Sequence, residues 1–205
     1  MNLQEALAEL RKNEKRKFDQ SVDLIINLKG IDVKKDNIAT VFVYPHQLKA
    51  KKICAFLEKK TDLVDAVTPA EFGAFKDKKA LKKLVKQYDY FMAVAKLMPQ
   101  VATVFGKVLG PAGKMPSPQL GIVMQETEPA IKQELAKIAK SVKIRAKEAS
   151  IKLSVGKESM KDSELSANIE AAFSAIVNAL PTKKENLRNV MIKTTMSKPI
   201  KVEMK

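Results

Sequence analysis

DYFMAVA, Asp89 to Ala95, is a near-continuous apolar run that begins at a carboxylate and is followed by Lys96. Such a run, short and without alternation, is the pattern of a strand covered on both faces, as in a parallel sheet. Helical patterns lie on either side of it. Upstream, Leu81, Leu84, Val85 and Tyr88 form one apolar helix face. Lys79, Lys82, Lys83 and Lys86 recur at i, i+3, i+4 and i+7 on another face, the usual pattern of a solvated surface. Downstream, Val101 to Leu109 and Glu128 to Ser141 predict helices, the second with Ile131, Leu135 and Ile138 inward. Lys52 to Leu57 adds a short apolar strand, in which Cys54 reads as a small buried residue. Strands alternating with helices predict a small α/β unit with a largely parallel sheet.

Outward from this middle the texture changes at both ends. Leu3, Ala6, Leu7 and Leu10 are spaced for an amphipathic helix that turns basic toward Arg16 and Lys17. Ser21 to Lys29 then alternates: Val22, Leu24, Ile26 and Leu28 share one face, Ser21, Asp23, Ile25 and Asn27 the other. Gly30 to Asp32 and Asp36-Asn37 mark a turn region, and Ala39 to Tyr44 predicts a second strand ending at Pro45. The last third repeats the alternating style in Ile151, Leu153 and Val155, in Val190 to Ile192 and in Ile200 to Val202. Between them, Leu165 to Leu180 carries a helical stripe stopped by Pro181, with Ser159 and Asp162 as cap candidates. The pattern predicts an α+β domain built from residues 1–50 and 142–205, interrupted by an α/β insert at 51–141.

The chain has 205 residues, 38 Lys+Arg against 23 Asp+Glu, and a formal charge of +15. Only four of the cations are arginine: Arg11, Arg16, Arg145 and Arg188. The outer segments hold 22 basic and 14 acidic residues, net +8, and the insert holds 16 and 9, net +7. An excess spread over both parts favours an extended polyanion over a single anionic pocket. One cysteine and one histidine exclude a disulfide framework and multi-histidine metal sites, and leave little room for a nucleophilic triad. No apolar run approaches the roughly 18–20 residues of a membrane span, and Met1 to Lys17 has no signal-type apolar stretch. The expectation is a soluble intracellular chain without metal, cofactor or membrane contact, and with no catalytic residues.

FGKVLGPAGKMPSP, Phe105 to Pro118, reads as a glycine- and proline-rich loop, which offers an alternative: a phosphate-binding α/β enzyme using Gly106 to Lys114. The phosphate-loop pattern fails at Val108 and Met115, where it needs Gly and Ser or Thr. Thr194-Thr195-Met196 closes a strand, where short hydroxyls could meet the shallow minor groove of RNA or simply pack at an edge. Phe18 beside Lys17 could stack on a base or staple the first helix to the core. His46 reads as structural.

KFDQSVDLIINLKGID (Lys17 to Asp32), LMPQVATVFGKVLGPAGKMPSP (Leu97 to Pro118), SVGKESM (Ser154 to Met160) and IKTTMSKP (Ile192 to Pro199) together resemble the ribosomal protein L-one family, archaeal type. The resemblance covers nearly the whole chain in order. It implies a two-domain architecture, α+β and α/β: a split RNA-binding domain from both termini, with an inserted Rossmann-like domain on a two-strand hinge. It further implies a structural constituent of the large ribosomal subunit that binds large-subunit ribosomal RNA at the mobile stalk near the tRNA exit site. Release of deacylated exit-site tRNA, repression of the protein's own mRNA through its leader, a cytoplasmic location on the ribosome and a monomeric free state are implied as well.

Carried over residue by residue, the resemblance implicates Lys17, Phe18, Ser21, Asp23 and Asn27, with Thr194, Thr195 and Met196, in RNA binding. Arg145 and Lys147 on the returning strand join them, and Lys107 and Lys114 belong to a tRNA-facing loop of the insert. Three positions depart from the family. Ser197 replaces a usual Gly, so the turn there is expected to be reshaped. Ala112 replaces an Arg, and Gln47-Leu48-Lys49 replaces a Gly-x-Gly that would serve as a hinge.

Overall fold

The computed structural model describes residues 1–12, 16–31, 39–48, 50–75, 77–146 and 148–204. In chain order the elements are α1 (Leu3–Arg11), β1 (Ser21–Leu28), β2 (Ala39–Val43), β3 (Ile53–Phe56), β4 (Asp65–Val67) and α2 (Lys78–Gln87). There follow β5 (Tyr90–Val94), α3 (Met98–Ala112), β6 (Ile122–Val123), α4 (Glu128–Lys140), β7 (Ser141–Arg145) and β8 (Ser150–Lys157). The chain closes with α5 (Asp162–Ala179), β9 (Leu187–Thr194) and β10 (Ile200–Val202). Two compact units result: Met1–Leu48 with Lys140–Lys205, and Lys49–Ala139.

In the first unit, β1 lies inside an antiparallel sheet of order β10-β9-β1-β8. Its even-numbered residues Val22, Leu24, Ile26 and Leu28 are buried, and its odd-numbered ones are half-buried on the other face. The buried row packs with Ile151 and Val155 of β8, Val190 and Ile192 of β9, and Leu165, Ile169, Phe173 and Ile176 of α5. Leu3, Ala6, Leu7 and Leu10 of α1 close the same core. Asn2 starts that helix: its side-chain oxygen accepts the Leu3 N–H at 2.7 Å, while its own N–H donates to Glu5 Oε2 at 3.1 Å.

β2 and β7 form a separate antiparallel pair, Val43 opposite Ser141. Ser141 therefore begins a strand rather than ending the preceding helix, because its ladder partner captures it. Tyr44 follows β2 into the core and donates its hydroxyl to the Ser154 carbonyl at 2.8 Å. Burial pushes that phenol well above its usual pKa. His46 is structural through its backbone. Its N–H donates to Asn168 Oδ1 at 3.0 Å, and Asn168 Nδ2 donates to the carbonyls of His46 and Val155 at 3.2 and 3.0 Å. Asn168 is fully buried in α5, and this triple engagement satisfies it there.

Ser159 does not cap α5. Its N–H and hydroxyl both donate to the Asp19 carboxylate, at 3.1 and 2.9 Å, so the side chain is directed across to the segment before β1. Asp162 opens the helix as a first-turn acid and meets the Arg11 guanidinium at 2.6 Å. Arg11 also donates to the Met160 carbonyl at 2.7 Å, which ties the end of α1 to the start of α5.

In the second unit, all four strands run parallel in the order β4-β3-β5-β6. β5, from the DYFMAVA run, is buried along Phe91 to Val94. Phe56 of β3 lies 5.7 Å from Phe91 and 4.7 Å from Phe105 of α3, centroid to centroid. Cys54 is buried in β3, and burial lifts its thiol to about 12.

The predicted Gly/Pro loop is mostly helix. α3 continues through Gly106, Gly110 and Pro111 to Ala112 and ends at Gly113, which adopts φ 70°. Pro111 lies inside the helix, where it removes the bond its N–H would have made to the Lys107 carbonyl, and two residues later Gly113 supplies the left-handed conformation that ends the helix. A phosphate cradle at Gly106 to Lys114 is thereby replaced by helix. Gly121 has a stricter requirement: at φ 95° a Cβ would sit 2.9 Å from the Phe91 carbonyl oxygen. Gly121→Ala is therefore expected to cost about 2 kcal/mol or more through combined strain and contact. Urea denaturation of the variant against the parent measures it.

Candidate nucleic-acid interface

Lys17, Phe18, Ser21, Asp23, Asn27, Thr195 and Met196 gather on the open face and at one end of the β1 sheet. Asp23 stands opposite Lys193 of β9 and Ser154 of β8, and Asn27 stands opposite Asn189 and Ser150. Asn27 Nδ2 donates to Asn189 Oδ1 at 2.7 Å, so two amides form one polar pair on the sheet face. Partial burial raises the Asp23 carboxyl above its ordinary pKa, against the opposing pull of the Lys193 ammonium and a hydrogen bond from Ser154. The free protein thus holds a carboxylate in a place that desolvates it.

The sheet end is a backbone knot. The Thr195 N–H donates to the Ser21 carbonyl at 3.0 Å, and the Ser21 N–H donates to Thr195 Oγ1 at 3.1 Å. One residue on, the Met196 N–H donates to Gln20 Oε1 at 3.2 Å. Gln20 also donates through Nε2 to Glu158 Oε2 at 3.1 Å, and its carbonyl accepts the Glu158 N–H at 2.8 Å. Gln20, 2 % exposed, therefore joins three segments: the approach to β1, the turn after β9 and the turn after β8. Asp19 reinforces the last of these through Ser159 and a 3.2 Å ion pair with Lys157. The Ser159 hydroxyl is the main cause of its lowered pKa.

Around this knot, Phe18 is 52 % exposed and Met196 64 % exposed, with Lys17 exposed beside the ring. Phe18 is thus no staple into the core. Two apolar side chains in water next to cations form a surface suited to flat, polyanionic ligands. Thr194 is different. It is 3 % exposed, shares the inward row of Val190 and Ile192, and its Oγ1 is buried without a partner. Its backbone N–H donates to Ser197 Oγ at 2.9 Å. Ser197 closes the turn with its hydroxyl and without a positive φ; among the described non-glycine residues only Lys183 has one.

Arg145 is exposed at the end of β7, in the separate β2-β7 pair, and with Lys152 and Ser154 it lines a cleft of about 480 Å³. Lys147 and Lys49 lie outside the described residues. In the second unit, Lys107 is exposed on α3. Lys114 is half-buried, and its ammonium donates to the carbonyls of Val85 and Tyr88, both at 2.7 Å, capping the end of α2. Among the described residues, no cluster of His, Cys, Asp and Glu is placed to hold a metal, and no helix is long and apolar enough to cross a membrane.

Comparison with known proteins supplies the family. The profile of the "Ribosomal protein L1p/L10e family" matches residues 10–198. The chain belongs to this family. Proteins called "Large ribosomal subunit protein uL1" are similar over nearly all of it. The one from Pyrobaculum calidifontis is 36% identical over 205 residues, 95% of this chain and 89% of the relative. The one from Pyrococcus horikoshii is 36% identical over 97% of this chain and 94% of the relative, and that from Thermococcus kodakarensis 34% over 98% and 96%. A ribosomal L1p/L10e protein is a structural component of the large subunit in the cytoplasmic ribosome and not an enzyme. The phosphate-ligand enzyme reading falls with that assignment.

Gln20 and Asn189 are the site residues that sequence reasoning missed. A signal for Gln20 was available, since it shares even parity with Val22 to Leu28 and so continues the buried row of β1. The same parity places Thr194 inward with Val190 and Ile192.

Asp23 yields a pH test. A carboxyl whose folded pKa lies above the unfolded value near 3.8 destabilises the native state once ionised. The penalty is complete above the folded pKa and vanishes below the unfolded one. Asp23→Asn is expected to raise stability at pH 7, with the gain shrinking as pH falls through the carboxylate range. Denaturation curves at pH 7 and pH ~3.5 compare the two limits.

Proposed function

We propose that this protein binds large-subunit ribosomal RNA at the mobile stalk through the knot and open face of the β1 sheet. Lys17 attracts the backbone, and Phe18 and Met196 offer apolar surface to unstacked bases. Ser21, Asp23, Asn27 and Thr195 supply polar groups, with Arg145 and Lys147 at the margin and Thr194 holding the turn from inside. The observation that carries the reading is the Gln20–Met196 and Ser21–Thr195 bonding, which ties the backbone of exposed Met196 to the segment that follows exposed Phe18. A preorganised surface loses little conformational entropy on binding, and polar groups shut off from water there must all find partners, which gives specificity.

On this reading residues 1–50 and 142–205 are the RNA-binding domain, and 51–141 form an inserted Rossmann-like domain. The four parallel strands of the second unit support the latter. The insert serves exit-site tRNA and the release of deacylated tRNA, with exposed Lys107 available to it and Lys114 occupied in capping α2. A leader in the protein's own mRNA that imitates the stalk would compete for the same surface, allowing repression, and the free protein acts as a monomer.

Thr195→Val leaves the Ser21 N–H without its side-chain acceptor and removes a polar group from the surface. It is expected to lower affinity for a stalk RNA fragment at least about tenfold, or about 1.4 kcal/mol, with the salt slope unchanged. Lys17→Gln is expected to reduce the slope by about 0.7–0.9. Filter binding across salt, against a scrambled RNA, measures both. A Thr195→Val variant that binds the stalk RNA as tightly as the parent would refute the contact assignment.

A further inference from the structure

The second unit contains a helix whose charge contradicts its own local electrostatics. α2 has Lys79 in its first turn, no acidic residue there, and an N-cap, Asp77, that makes no side-chain capping bond. A helix N-terminus favours anions, and like charges at i, i+4 repel. Lys79, Lys82, Lys83 and Lys86 nevertheless share one exposed face, spanning about 10 Å at 1.5 Å per residue. Leu81, Leu84, Val85 and Tyr88 occupy the opposite face and are buried in the second unit's core. Among the described residues, none of the four lysines has an ion pair or hydrogen bond. The negative C-terminal end of the helix is already served by Lys114 on the Val85 and Tyr88 carbonyls, so Lys86 is not required as a cap.

Lys86 alone sits where the helix dipole favours a cation, while Lys79 at the N-terminal end and the 79/83 and 82/86 like-charge pairs oppose folding. We propose that the Lys79/Lys82/Lys83/Lys86 face of α2 is a second contact with large-subunit ribosomal RNA, made to the phosphate backbone and blind to base sequence. The proposal rests on the rRNA-binding reading above and extends it to the second unit. Lysine suits the role, since its compact ammonium meets a phosphate as a point charge without the planar fork that reads base edges. The stripe has no aromatic residue on its face, which also fits backbone contact without base stacking. An acidic protein surface is the competing occupant.

The test uses the full chain carrying Lys79→Gln, Lys82→Gln, Lys83→Gln and Lys86→Gln together, with whole deproteinised large-subunit rRNA as the probe. Removing the mutual repulsion should leave the variant melting at or above the parent's temperature, which controls for folding. The slope of log affinity against log salt is expected to fall by about 2–4, at roughly 0.7–0.9 for each phosphate that the variant no longer neutralises. Preference for authentic over scrambled stalk sequence should be unchanged. In a parallel arm, the four lysines of the parent should be protected from acylation when rRNA is bound. An unchanged slope with no protection overturns the proposal and leaves an acidic protein as the occupant. If Thr195→Val still loses specific binding in that case, the rRNA-binding reading stands. If the parent binds authentic and scrambled RNA equally, that reading fails.

Discussion

The alternation of β1 is the constraint on which the first unit depends. Four aliphatic side chains, Val22, Leu24, Ile26 and Leu28, are buried on one face, each contributing about 1.5–3 kcal/mol by leaving water. A slip of one residue would exchange that row for Ser21, Asp23, Ile25 and Asn27, exposing the aliphatics and burying a carboxylate and an amide. The register is therefore unambiguous, and the same register that builds the core sets the polar row on the opposite face. Because the side-chain period is two, extending it back by one step carries Gln20 inside. There it can bind the turn after β9 and the turn after β8 at once.

The two ends of the chain meet in one sheet through this strand. β1 comes from the N-terminal segment, and its neighbours β8 and β9 come from the last third. The surface composed of Phe18, Ser21, Asp23, Thr195 and Met196 thus exists only after the sheet has closed across a sequence separation of 174 residues, as in the Ser21–Thr195 pair. Its cost is visible in Asp23, whose carboxyl is raised by desolvation, and in Thr194, whose hydroxyl is buried without a partner. Local departures from best packing such as these are where function is expected to compete with stability.

Short glycine- and proline-rich stretches were the least legible part. Phe105 to Pro118 has the composition of a loop, yet α3 runs through Gly106, Gly110 and Pro111, because Phe105 and Leu109 are fully buried and hold the helix in place. The helical penalty of the two glycines, about 1 kcal/mol each, is smaller than the gain of about 1.5–3 kcal/mol each from burying those two side chains. The turn at Ser197 is a similar case. A glycine at that point is dispensable once a hydroxyl supplies the bond to Thr194.

Periodicity by itself determined the alternating strands, the buried β5, the inward stripes of α1 and α5, and the even spread of positive charge. These depend on contacts between neighbours in sequence or on counting, and both are local. Tertiary structure alone decided which polar residues work together. Nothing near Gln20 in sequence reveals that its amide will reach Met196 and Glu158, and nothing near Lys114 reveals that its ammonium will close α2. Hydrogen bonds between distant segments are directional and short-ranged, so the partners are set by where the packed apolar faces bring the backbone.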